Sequence, residues 1–136
     1  MNMKACGSVV MMIVVAASSI SCQDAARVPH HAQVTHIVIA WLKQPGDQTT
    51  RQRVIDAAKQ RLSKIPGVVS VTSGTSLPST RPVVDSSFDV SIIITFRSVD
   101  DLNHYPSRPE HQQMMAEIIK PLMARYVVYD VLDAGR

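Results

Sequence analysis

From Val34 onward, apolar positions follow two alternating rhythms. In "VTHIVIAWL" both sides of a period-two pattern are apolar, with Val38, Ala40 and Leu42 on one and Ile37, Ile39 and Trp41 on the other. That predicts a strand covered on both faces. After the turn "QPGDQ", the stretch "TTRQRVIDAAKQRLSKI" places Val54, Ile55, Ala58, Leu62 and Ile65 at helical spacing. Thr49 with Gln52 predicts a capping box at its start, and Pro66-Gly67 its end. "VVSVTSG" reads as a second strand, and "FDVSIIITF" as a third with Phe88, Val90, Ile92, Ile94 and Phe96 on one apolar face. Between them the residues from Thr72 to Ser87, with two prolines and several hydroxyls, read as a long polar loop. A short helical turn over "VDDLNHY" leads to a second main helix. Its start is marked by Ser107 and Glu110 as another capping box and by Pro109 in the first turn. Pro121 predicts a kink near its end, and "RYVVYDVL" closes the chain as a fourth strand.

The resulting order, β-α-β-β-α-β, is the split unit of an α+β, ferredoxin-like fold. Two helices cover only one face of a four-stranded sheet. Because the first strand is apolar on both sides, the economical cover for the second face is another copy of the chain, packed sheet to sheet as a dimeric α/β barrel. Asp89, Ser91 and Thr95, read on the second face of the third strand, reduce the apolar area available for this homodimer.

The first 33 residues follow neither rhythm. Residues 1–22 carry an early cation, Lys4, an apolar run from Val9 to Ala17, and Ser18, Ser19 and Ser21 before Cys22. This has the form of an export signal, too short for a stable membrane span. Ser-Ile-Ser before Cys22 resembles a bacterial lipoprotein box, which implies cleavage before Cys22, a lipid on its sulfur and attachment to a membrane of the cell envelope. Ser19 stands where that box usually has Leu, and ordinary secretion or a periplasmic location is the alternative. Residues 23–33, polar and broken by Pro29, read as a tether to a domain spanning residues 34–133. His30 and His31 there lack the further fixed donors a metal site needs, and no metal or cofactor is expected. Both cysteines, Cys6 and Cys22, precede the domain, so no disulfide braces it.

Charge narrows the partners. A net charge of +3, with Lys and Arg interspersed among acids, and only 4% aromatic residues exclude a nucleic-acid binder built on a basic stripe or on base stacking.

Three side chains remain as candidate chemistry. His111 lies on the first turn of the second main helix, on the same stripe as Met114, Met115, Ile118, Leu122 and Met123, so its ring should face the interior. A neutral imidazole there can accept a proton, and the positive end of the helix disfavours its charged form. Tyr105 can donate a phenolic hydrogen bond to an oxygen of a bound molecule, and His36 shares a strand face with Val38 and Ala40. The commoner role of a buried histidine is structural, satisfied by a backbone carbonyl. His104 reads as exposed and carries no role.

The segments "THIVIAWLK", "IPGVVSVTSGTSL", "FDVSIIITFRSVDDLNHYPSRPEHQQMMAEIIKPLM" and "YVVYDVL" resemble the stress-responsive α/β-barrel dimer family, abbreviated Dabb. The most specific piece is Tyr105 followed by "RPEH", similar to the family's "HPxH" with Arg108 where histidine is frequent. His36 matches the histidine that commonly opens the first strand. The resemblance implies a dimeric ferredoxin-like barrel. For most members it implies no reaction, while a plant branch of polyketide cyclases implies His111 as base and Tyr105 as the residue that orients the substrate. Three readings follow. The first is a module binding a small apolar molecule through His36, Tyr105 and His111. The second is a cofactor-free lyase of the cyclase kind, and the third, with the least support, a barrel-type monooxygenase.

Overall fold

The computed structural model describes residues 32–133. Strand β1 (Val34–Leu42) leads through a tight turn into α1 (Gln48–Ala57), which runs on as a π-helical turn, Ala58–Leu62. Strands β2 (Val68–Gly74) and β3 (Val90–Phe96) follow, then α2 (Val99–His104) and a 3-10 turn, Tyr105–Ser107. Helix α3 (Pro109–Met114) continues through a π-helical turn, Met115–Ile119, into α4 (Lys120–Leu122), and β4 (Met123–Leu132) closes the domain. The strands are antiparallel in the order β2-β3-β1-β4, the ferredoxin-like arrangement. β1, apolar on both sides, takes a central position. The export-signal segment, Cys6, Cys22 and the tether as far as His30 and His31 lie outside the described residues. Among the described residues no helix is long and apolar enough to cross a membrane.

One face of the sheet carries the core. Ala40 and Leu42 of β1 and Val90, Ile92, Ile94 and Phe96 of β3 pack against Val54, Ala58 and Leu62 from the first helical segment and Met114 and Ile118 from the second. Each of these side chains larger than alanine, fully buried, contributes roughly 1.5–3 kcal/mol. The π-helical turn before Pro121 falls where the proline offers no N–H to the preceding turn.

Local signals differ from the sequence reading in four places. Asp47, not Thr49, caps α1: its carboxylate accepts the Thr49 N–H at 3.1 Å and the Thr50 hydroxyl proton, and an anion suits a helix N-terminus. Gln52 instead reaches along the helix to Asp56 at 2.9 Å. Arg108, with extended backbone, stands at the cap of α3, because Ser107 turns its hydroxyl back to the His104 carbonyl at 2.7 Å. The reciprocal cap forms at α2, where Ser98 accepts the Asp101 N–H and donates to its carboxylate. Phe88 lies ahead of β3 and is half-buried, so the apolar face begins at Val90.

Asp89 is the fourth difference. It does not face outward from β3 but is 2% exposed, just before that strand. Its carboxylate accepts the N–H groups of Leu42 at 2.9 Å and Gly46 at 2.8 Å, and the Arg51 guanidinium at 2.7 Å. One side chain thus ties the end of β1, the turn and α1 together. Burial pushes its pKa up, but the two N–H donors and Arg51 outweigh burial and hold it below the usual carboxylate value. Gly67, at φ 92°, makes the turn into β2, and a Cβ there would collide with the Asp101 side chain.

The other face is unlike the core side. The register sets Ile37, Ile39 and Trp41 of β1 beside Ile93 and Ser91 of β3 and Tyr129, Val127 and Arg125 of β4. Tyr129 is 55% and Val131 50% exposed. At one end, the Arg125 guanidinium lies 3.3 Å over the Trp41 ring, whose N–H donates to Ser87 at 3.2 Å. β2 ends at Gly74, as the strand reading of "VVSVTSG" has it, so Thr72 and Ser73 belong to the sheet and the loop follows it.

Candidate functional site

Between β1, β3 and β4 on one side and the two helical segments on the other lies a cavity of about 200 Å³. Its walls are Val38, Leu62, Ile92, Ile94, Met114, Met115 and Ile119, and Tyr126 and Val128 of β4 stand at its open side. Tyr126 is 46% and Val128 39% exposed, so the cavity communicates with solvent along the edge strand. His36, Tyr105 and His111, with the phenol of Tyr126 at the open side, are the polar side chains that line it.

Each arrives from a different element. The period-two alternation of β1 puts His36 on the core side with Ala40, and the register sets it beside Asp130 of β4. His36 Nδ1 lies 2.6 Å from the Asp130 carboxylate. An ionised carboxylate only accepts, so Nδ1 carries the proton and Nε2 is left for other partners.

Tyr105 opens the 3-10 turn and is 4% exposed. Its ring sits 5.0 Å from Phe96, 5.7 Å from His36 and 4.3 Å from His111, centroid to centroid. Burial pushes its phenol far above the usual value, so the hydroxyl stays protonated and available as a donor.

His111, half-buried on the first turn of α3, faces the cavity as its helical stripe predicts. Its Nδ1 lies 3.3 Å from the Pro106 carbonyl, which again only accepts, so Nε2 bears the free lone pair. Burial pushes the imidazole below its ordinary value; the Pro106 carbonyl opposes this, and charge on His36 adds to it. Desolvation thus leads, where the sequence pointed to the helix terminus. The site therefore holds a proton donor, Tyr105, between two ring nitrogens with free lone pairs, all at one end of an apolar chamber.

His104 is exposed and bonds the Asp100 carbonyl at 2.7 Å, away from the cavity. Among the described residues no group of His, Cys, Asp or Glu is placed to hold a metal ion.

Residues 34–133 match the family described as the Stress responsive A/B Barrel Domain, Dabb. The chain belongs to the Dabb family. Solved structures share its fold. A Dabb family protein from Mesorhizobium loti superposes with a TM-score of 0.63 at 21% identity, covering 76% of this chain and 99% of that one. A dimeric ferredoxin-like protein of unknown function from Thermobifida fusca gives 0.61 at 20% identity, over 74% and 91%. A hydroxynitrile lyase from Passiflora edulis gives 0.66 at 21% identity, over 78% and 97%. No curated protein matches the chain.

Of the polar residues around this Dabb cavity, sequence reasoning missed Tyr126, at the open side, and Asp130. The signal for Asp130 was present: it is the one acid in "RYVVYDVL", on the same alternating face as Tyr126 and Val128. What the sequence lacked was the register that sets it opposite His36.

Proposed function

We propose that this Dabb protein binds a small, largely apolar molecule carrying one polar group. The reading rests on one observation: an apolar cavity of about 200 Å³ with His36, Tyr105 and His111 converging on it. Apolar walls supply affinity through burial, and the three polar groups orient an oxygen of the ligand. Mass-spectrometric identification of what copurifies with the chain tests it. A recurrent small apolar compound is expected from wild type and should be absent from Val38→Phe, which fills the cavity. The same compound retained by Val38→Phe, or none in either protein, would count against the proposal.

A second reading, catalysis, is favoured by the pairing of an uncharged ring nitrogen with a protonated phenol in one desolvated site. In it a histidine removes a proton next to a carbonyl and Tyr105 steadies the oxyanion, with His111 the base the family resemblance suggests. The fold is shared with a protein named as a lyase.

The outer sheet face, with Ile37, Ile39, Ile93 and Tyr129, is the surface on which a second copy would pack, and the Thermobifida fusca protein of the same fold is dimeric. Light scattering should find a dimer, and a monomer at micromolar concentration would remove this part. The chain is exported and held at the envelope by a lipid on Cys22. Fatty-acid labelling of wild type and Cys22→Ser tests the anchor, and equal labelling would rule it out.

A further inference from the structure

The two imidazoles of the cavity are not equivalent. His111 rests its Nδ1 on the neutral Pro106 carbonyl at 3.3 Å, whereas His36 rests its Nδ1 on a carboxylate at 2.6 Å. A ring that takes a proton at Nε2 becomes a cation. On His36 that charge forms against the Asp130 carboxylate, while on His111 it forms beside the neutral Pro106 carbonyl and the Tyr105 ring. A base held in one tautomer by a carboxylate that also balances its developing charge is the arrangement that serves proton abstraction. The Asp130 side chain is 51% exposed, so a proton gained by His36 can exchange with water at the mouth of the site.

Volume limits the ligand. A dry cavity of about 150 Å³ accepts benzene. The present one, about 200 Å³ and apolar apart from His36, Tyr105, His111 and the phenol of Tyr126, suits a single ring with a short substituent, or a short aliphatic chain, ending in one oxygen.

We infer that His36, positioned by Asp130, takes the proton from a bound ligand, and that this ligand is a single-ring or short-chain carbonyl compound with a C–H bond next to the carbonyl. The inference rests on the catalytic reading above and moves the base from His111 to His36. In the step, the C–H proton passes to His36 Nε2 and the C–H electron pair becomes the C=C bond of an enolate. The carbonyl π pair moves to oxygen, which accepts a hydrogen bond from Tyr105. His111 Nε2, itself an acceptor, takes no part in the step. Return of a proton from His36 regenerates the ketone, so the measurable event is exchange of that hydrogen with solvent.

The probe is phenylacetone, a single ring with about ten non-hydrogen atoms, of the size the cavity comparison sets. It is incubated with the full chain in D₂O, with deuterium uptake at its benzylic position followed by proton NMR and binding followed separately by saturation transfer. Wild type should bind it and speed exchange over buffer. His36→Gln should lose about a hundredfold or more of that acceleration, and Asp130→Asn about tenfold or more, with binding retained. His111→Gln should lose less than His36→Gln.

Nitrogen NMR supplies a readout that a merely structural role would not move: His36 should be the Nδ1–H tautomer in wild type and lose that preference in Asp130→Asn. Binding without accelerated exchange, exchange unaffected by Asp130→Asn at unchanged thermal stability, or a larger loss in His111→Gln would overturn the assignment of His36. Absence of binding would instead overturn the occupancy on which both readings rest.

Discussion

Asp89 and Asp130 are each the lone acid in an apolar stretch that serves the same sheet, yet the fold treats them oppositely. Asp89 is 2% exposed and meets two backbone N–H groups and a guanidinium. Asp130, with a side chain 51% exposed, holds one imidazole at the mouth of a cavity. The first is sealed where β1, the turn and α1 converge, and the second stands on the edge strand, where no helix covers it. A carboxylate saturated by donors that belong to the fold can do nothing but hold it. One engaged with a single imidazole leaves that ring's other nitrogen free for chemistry.

The largest expected effect tests this contrast directly. Asp89→Ala leaves Arg51 and two N–H groups without their acceptor and should cost about 3–5 kcal/mol, the range for breaking a buried ion pair. Asp130→Ala should change stability by no more than about 0.5 kcal/mol, as at exposed sites. Urea denaturation of both variants decides; equal losses would erase the distinction. The pH dependence follows in sign. Asp89 has a folded pKa below its unfolded one, so its contribution is complete above the ordinary carboxylate value near 3.9 and is lost as pH falls through the folded value. Wild type should therefore lose stability more steeply than Asp89→Asn in that acid range.

Arg51→Ala sharpens the sealed side. The carboxylate keeps the N–H groups of Leu42 and Gly46 and loses only the guanidinium, so the cost should be smaller, about 1.5–3 kcal/mol, the range for hydrogen bonds to a charged group. A loss as large as that of Asp89→Ala would mean the N–H donors contribute little, and that the site is an ordinary ion pair rather than a backbone clamp.

The same contrast explains what could be read in advance. The strands and main helices were legible because burial imposes a period, and "VTHIVIAWL" or "VIDAAKQRL" fits only one. His111 turning inward followed from the same logic, since Met114 and Ile118 fix its face of the helix. The caps were less legible: Thr49-x-x-Gln52 satisfies a capping rule, but Asp47, two residues ahead, competes for the same N–H with a full charge. Neither acid could be assigned its role. Asp89 finds Arg51 across 38 positions and Asp130 finds His36 across 94. Helix packing on the sheet brings Arg51 to Asp89 and the antiparallel register brings Asp130 to His36, whereas alternation alone says which face each occupies, not what stands opposite.

The smallest expected effect lies on the open side, at His111. Burial lowers its folded pKa below that of the unfolded chain, with the Pro106 carbonyl opposing and His36 reinforcing the shift. Between the folded value and the ordinary imidazole value of about 6.5, the unfolded chain binds more protons, so stability falls as the solution is acidified through that window. His111→Gln cannot titrate there and should flatten this part of the curve. Urea midpoints measured for the two chains from pH 7.5 down to about 5 supply the comparison. Parallel curves would mean that the ring is as well solvated folded as unfolded. The cavity would then be wet at His111, and the oxygen of any ligand would compete with water there instead of meeting a desolvated nitrogen.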